Sequence, residues 1–253
     1  MPELPARPDL DQLRHQAKDL LHAAKGGDAT ALRRVQAVSD RLILSSAQLA
    51  VAREYGFASW PQLKAEVERR EILNSRDLER LRRLVAKEPV LATATMEHRC
   101  DHPNGASPLG YTAMLRFDTS RGVWQDLSGT GDVAKVLLDA GAALNGHPED
   151  TETPLMTAAS YGDADVARVL IEAGADLEAT AAPNAGGVPG GTALLHAAVF
   201  GMTEVVDVLV AAGASIHSIE EAAAAGDIVG FLEFETPLEA PPRSSEGTKS
   251  DAL

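Results

Sequence analysis

Between Gly129 and Ser218 the apolar residues fall into three stretches of like pattern. They are GTGDVAKVLLDAGAALNG from Gly129, GDADVARVLIEAGADLEA from Gly162 and GMTEVVDVLVAAGASIHS from Gly201. Val166, Val169 and Leu170, then Val205, Val208 and Leu209, recur at i, i+3 and i+4, the spacing of one face of an α-helix. The opening glycines are 33 and then 39 residues apart, and the Gly-Ala pairs at Gly141, Gly174 and Gly213 repeat both offsets. Upstream of each stretch stands a second block: SPLGYTAM from Ser107, TPLMTAAS from Thr153 and TALLHAAV from Thr192. Two blocks recurring in one register predict a chain of like units, each leaving an apolar face uncovered until its neighbour stacks on it.

Within a unit each residue type has a local reason. Ser107, Thr153 and Thr192 are N-cap candidates, and Pro154 suits a first helical turn. Ala158 with Ala159, and Ala197 with Ala198, allow neighbouring helices to approach closely. Gly162 and Gly201 permit the sharp turn into the second helix, and Gly174 and Gly213 supply its left-handed C-terminal cap.

This pattern resembles the ankyrin repeat, with a TPLH-like start, paired alanines, a turn glycine, a Val-Leu helix and a closing Gly-Ala-Asp. The match is close at Thr153, Pro154, Leu155, Ala158, Ala159, Gly162, Val166, Leu170, Gly174, Ala175 and Asp176. The resemblance implies an all-α solenoid of stacked helix pairs with short hairpin loops. It also implies a concave surface of hairpins and first helices used for protein recognition. The family's TPLH histidine is replaced by Gly110, Met156 and Leu195, so apolar packing is expected where the family has a polar network. His196, one place later, is expected to be an interior histidine that does not inherit the linking role. Two insertions break the period: RFDTSRGVWQDLS inside the first clear repeat, and APNAGGVPGG before Thr192.

The clear repeats cover about 105–147, 151–179 and 190–218, with a partial repeat at 219–235. Upstream, DLLHAAKGGDATALRRV, AQLAVAREYGFASWPQLKAEVE and NSRDLERLRRLVAKEP read as further helices, the first two as helix, glycine turn, helix. Residues 1–70 are read as a helical N-terminal region, either degenerate repeats or a cap, with a separate small domain ending near Arg70 as the other reading. The array then runs over 71–235, and the polar tail 236–253 is expected to be disordered.

Composition sharpens the class. Aromatics make up only 4% of the 253 residues, which suits small-residue helix packing better than a sheet sandwich. A single cysteine excludes an internal disulfide, and MPELPARPDLDQLR has neither the basic nor the apolar part of a secretion signal. No apolar run approaches the ~20 residues of a membrane span. The expected setting is a reducing cytoplasm.

Charge is unevenly placed. Residues 1–100 carry 17 basic against 14 acidic residues, a net of +3, whereas 101–253 carry 6 against 23, a net of −17. The second half should repel nucleic acid and anionic membranes and could attract a basic protein partner. The plainer reading is that acidic residues keep alanine-rich helices soluble.

Few residues suggest chemistry. EHRCDH (97–102) alternates His98, Cys100 and His102, but structural zinc sites draw four ligands, usually from two elements. A polar loop without metal is expected. GASPLG is not a nucleophile elbow, and GGVPGGT lacks a P-loop lysine and its preceding strand. No cofactor is expected. Candidate partner-binding residues are Ser160, Tyr161, Val199 and Phe200, which precede the turn glycines. Met114 and Leu115 occupy the matching place before the insertion, and Trp124 lies within it. Trp124 either folds back over the groove or is displayed; Phe117, Asp118, Arg121 and Asp126 share its loop. The leading expectation is a non-catalytic scaffold binding a protein through its concave face. The rival is an enzyme or small-molecule receptor whose pocket uses the Trp124 loop with His98, His102, His147 and Asp118.

Overall fold

The computed structural model describes residues 4–5, 7–96, 106–118 and 121–227. The N-terminal region holds α1 (Leu10–Lys25), α2 (Ala29–Gln36), α3 (Leu44–Glu54) and α4 (Trp60–Ser75). Then come α5 (Leu78–Lys87), a 3-10 turn Pro89–Ala92, α6 (Pro108–Ala113) and a second 3-10 turn Met114–Arg116. A two-stranded hairpin, β1 (Phe117–Asp118) and β2 (Val123–Trp124), interrupts the helices. The chain continues through α7 (Thr130–Asp139), α8 (Pro154–Ser160), α9 (Ala164–Glu172), α10 (Ala193–Val199), α11 (Thr203–Ala211) and α12 (Ile219–Ala225).

Helix starts follow the short polar side chains. Ser107 Oγ accepts from the Gly110 amide at 3.1 Å, Thr153 Oγ1 from Met156 at 3.2 Å and Thr192 Oγ1 from Leu195 at 3.2 Å. Each satisfies an amide that the helix itself leaves open, worth ~1 kcal/mol. At Thr153 the amide in turn donates to Met156 Sδ at 3.4 Å, so the methionine that replaces the family histidine closes a reciprocal cap. Gly174, just past α9, sits at φ +89°, the left-handed conformation that costs a side-chain-bearing residue 1–2 kcal/mol. Gly141 and Gly213 repeat it.

The helices stack in two layers. First helices α6, α8, α10 and α12 pack in succession, and second helices α5, α7, α9 and α11 do the same behind them. Val133, Ala134 and Leu137 of α7 are buried, as are Val166, Ala167 and Leu170 of α9 and Val205, Val206 and Leu209 of α11. Val169 and Val208 are only half-buried. The buried stripe therefore centres one residue away from the i, i+3, i+4 reading, because each second helix faces both its own first helix and the next second helix.

Apolar residues from Leu4 to Val67 form one core and those from Ile72 to Leu209 another. α4 contributes to both, with Leu63 and Val67 in the first and Ile72 and Leu73 in the second. Between them lie three buried charges. Glu66 receives Arg70 Nε at 2.8 Å and Arg69 through Nε at 2.9 Å and a second, shorter contact from Nη2. Arg69 also donates to the carbonyls of Leu91 (3.1 Å) and Ala94 (2.7 Å). One carboxylate thus orients two guanidiniums, and one of these pins the segment after α5 to α4.

Candidate functional site

The residues before the turn glycines end the first helices. Ser160 closes α8 and is buried, with its Oγ 2.8 Å from His196 Nδ1 in α10. His196 Nε2 lies 3.2 Å from the Val188 carbonyl, an acceptor that fixes the proton on Nε2. Nδ1 is then the acceptor, and the Ser160 hydroxyl donates to it. Burial pushes the imidazole below its ordinary value, against the opposing charge of Glu152 and the Val188 bond, so the ring is neutral.

This corrects two expectations. His196 does tie one repeat to the next, from a position shifted by one residue, and Ser160 is committed to that tie rather than offered to a partner. Other polar links cross the stack as well: Thr130 Oγ1 to Asp163 Oδ1 at 3.0 Å, and Thr192 Oγ1 to Glu221 Oε1 at 2.9 Å. The apolar packing expected between repeats is thus reinforced by a polar ladder. A serine hydroxyl bonded to a histidine can in principle be a nucleophile. Here Ser160 sits at the C-terminal end of α8, where the backbone presents carbonyls, and these would oppose an oxyanion.

Met114 and Leu115 are also corrected. Both are buried in the array's core, because the 3-10 turn after α6 rotates them inward, so neither presents its side chain to a partner. Tyr161 is half-buried, whereas Val199 (52% exposed) and Phe200 (43%) stand open at the end of α10.

The insertion builds the most distinctive surface. Phe117 pairs with Trp124 and Asp118 with Val123 across β1 and β2, and Gln125 Nε2 donates to Asp118 Oδ2 at 2.9 Å. The hairpin leans onto the next repeat, with Trp124 ring-to-ring with Phe117 at 5.0 Å and with Tyr161 at 5.9 Å. Phe117 and Tyr161 complete the triangle at 6.3 Å. Trp124 nevertheless remains 52% exposed. It both folds back and is displayed, since it packs on Phe117 and Tyr161 and still leaves about half its surface open.

Beneath the hairpin, Asp163 caps α9 and is fully buried, with Oδ1 accepting from Val166 N and Thr130 Oγ1. Arg116 Nε approaches Asp163 Oδ2 at 3.5 Å, an ion pair without a hydrogen bond. Burial raises the Asp163 carboxyl above its ordinary value, with the two hydrogen bonds and Arg116 pulling the other way. The sequence reading missed this group; the repeated Gly-Asp at 162–163 and 226–227 was the available signal.

Of the rival pocket's residues, His147 and Asp118 are described, and each is held by partners of its own. His147 Nε2 is 2.9 Å from the Thr93 carbonyl and its amide donates to Asp150, whereas Asp118 is held in the hairpin by Gln125. EHRCDH, with His98, Cys100 and His102, lies outside the described residues. Among the described residues no group of three or more His, Cys, Asp or Glu could hold a metal ion.

Comparison with protein families settles the architecture. Residues 127–220 match the family model for ankyrin repeats (3 copies). This stretch is an ankyrin repeat array. The matched span runs from the end of the hairpin insertion through α7 to the first residues of α12, so the aromatic triangle straddles its N-terminal boundary. No curated protein matches the chain in sequence. Ankyrin repeats are generally protein–protein interaction modules, and no helix of the described residues is long and apolar enough to cross a membrane.

Proposed function

We propose that this chain is a non-catalytic ankyrin scaffold that binds a basic protein partner along the first-helix side of the array, the concave side of the ankyrin architecture. The observation that carries the reading is the coincidence of open apolar side chains with an acidic surround. Trp124, Val199 and Phe200 are exposed at the ends of successive first helices or directly beside them. The array from 106 to 227 carries 17 acidic against 4 basic residues, a net of −13. Apolar side chains of this size remain open to water at a cost that a partner would recover, and acidic flanks steer a basic partner toward them.

The test is affinity capture with the whole chain, followed by cross-linking, at low and moderate salt. The reading expects a partner that is retained at low salt, dissociates faster as salt rises, and is not retained by a Trp124→Ser, Phe200→Ser variant. A partner bound equally by that variant, or a turnover activity in the purified chain, would refute it.

A further inference from the structure

The contact surface can be made more specific. This step rests on the protein-binding reading. We infer that the hairpin insertion and the helix-turn ends of the next two repeats form an aromatic ledge. The ledge takes a partner segment in which Arg or Lys alternates with apolar side chains.

Four of the exposed large apolar residues gather on this edge: Val123 and Trp124 on the hairpin, and Val199 and Phe200 at the end of α10. Tyr161 stands between them, touching Trp124 at 5.9 Å, and occupies in its repeat the place that Phe200 occupies in the next. α8 and α10 are packed neighbours, and packed helices lie about 8–10 Å apart, so Tyr161 and Phe200 stand one helix spacing apart with Trp124 against Tyr161. The row is continuous beneath the surface. His196, bonded to Ser160, lies 6.5 Å from the Phe200 ring, and Met202 packs over Gly162.

The ring geometry decides how a cation would be met. Centroid separations of 5.0, 5.9 and 6.3 Å are those of rings already in contact, so the triangle has no interior for an ammonium group. A guanidinium or a lysine stem must lie on the outer face of Trp124, with its apolar neighbours on Phe200 and Val199. Carboxylates at both sides of the row fit the charge. Asp126 is exposed beside the hairpin, and Asp165 and Glu204 stand at the starts of α9 and α11. The local arginines reduce this field without cancelling it. Arg116 lies against Asp163 and Asp165, and Arg168 bridges Asp165 (3.1 Å) and Glu204 (2.8 Å). Asp118, Asp126, Asp163, Asp165 and Glu204 outnumber Arg116, Arg121 and Arg168 around the ledge, so an acidic segment would meet a net negative surface and a purely apolar one would make no use of that surplus.

The chain has two tryptophans, so Trp60→Phe leaves Trp124 as the sole tryptophan, excited selectively above the tyrosine absorption. The probe is a labelled synthetic peptide in which arginine alternates with leucine and proline. Its two controls replace every arginine by glutamate or every apolar residue by serine. The inference expects the first peptide to shift Trp124 emission to shorter wavelength and to bind at least about tenfold more tightly than either control. Phe200→Ser should weaken that binding by about thirtyfold, the effect of losing a central anchor. Glu204→Gln should lower mainly the association rate and the salt dependence. Because Phe200→Ser could loosen the fold, Trp124→Ser, read by anisotropy of the labelled peptide, serves as the second variant. Equal binding of all three peptides, no binding of any, or normal binding by both folded variants overturns the ledge. If the captured natural partner instead loses its hold only on variants of Asn145 and Asp176, in the loops after α7 and α9, the ledge is wrong and the scaffold reading stands.

Discussion

His196→Leu separates the polar ladder from apolar packing more sharply than any other substitution. The imidazole is fully buried, accepts from Ser160 Oγ at 2.8 Å and donates to the Val188 carbonyl at 3.2 Å. Leucine fills much of the same space but leaves the buried Ser160 hydroxyl without a partner, at about 1–3 kcal/mol, whereas the half-buried Val188 carbonyl keeps the Gly191 amide at 2.9 Å. Loss of the Val188 bond adds to this and recovery of the buried ring's own desolvation offsets part of it, so the expected loss is about 1–3 kcal/mol. Urea denaturation of the whole chain measures it. Ser160→Ala in the same background should restore about 1 kcal/mol, because it removes one orphaned group, and a double-mutant cycle isolates that coupling.

The same residue sets a pH slope. Its folded pKa is depressed below the ordinary 6.5, so the unfolded chain binds the proton first as pH falls. Wild-type stability should be complete above 6.5 and fall as pH drops through that value toward the folded pKa. His196→Leu should abolish that part of the slope. Two other groups act with opposite sign. The Glu178 carboxylate raises the pKa of exposed His217, whose contribution is present at lower pH and lost as pH rises, so the comparison is made in a His217→Gln background. Asp163, raised by burial, gives stability back as pH falls through its folded pKa toward 3.8. If His196→Leu is as stable as wild type and keeps its slope between pH 7 and 5.5, His196 is not a tie between repeats.

Three further outcomes follow from the packing. Glu66→Gln leaves the buried guanidiniums of Arg69 and Arg70 without their shared carboxylate and should cost about 3–5 kcal/mol by denaturant melt. A loss under 1 kcal/mol would show that the carbonyl bonds of Arg69 suffice. Leu170→Ala, at a fully buried site in α9, should cost about 2–5 kcal/mol, with hydrogen exchange rising first in α7, α9 and α11. Trp124→Ser, on the open hairpin, should cost about 1–3 kcal/mol by denaturant melt, from two ring contacts worth about 0.5–1.5 kcal/mol each.

The helix pairs, their caps and their turn glycines were legible because each is set by residues within one turn of it: Thr153 and Thr192 as caps, Gly162 and Gly174 as turn and stop. The cross-repeat ties were not. Ser160 meets His196 across 36 residues and Thr130 meets Asp163 across 33, and neither pairing follows from periodicity. Met114 and Leu115 were misplaced for a related reason. The insertion changes the turn after α6 into a 3-10 turn that directs them inward, so alignment with Ser160 and Tyr161 failed at the one repeat that differs. The displayed face of Trp124 depended on where the hairpin lands, and that is set by Tyr161 of the next repeat rather than by the loop's own sequence.

The most direct test of the account is amide hydrogen exchange of the whole chain, alone and saturated with its captured partner. Protection is predicted to concentrate on the Val123–Trp124 strand, the Ser160–Asp163 turn and the Val199–Glu204 turn, with the second helices α7, α9 and α11 unchanged along their length. Protection confined to those second helices or to residues 7–70, with the three turns unaltered, would contradict it.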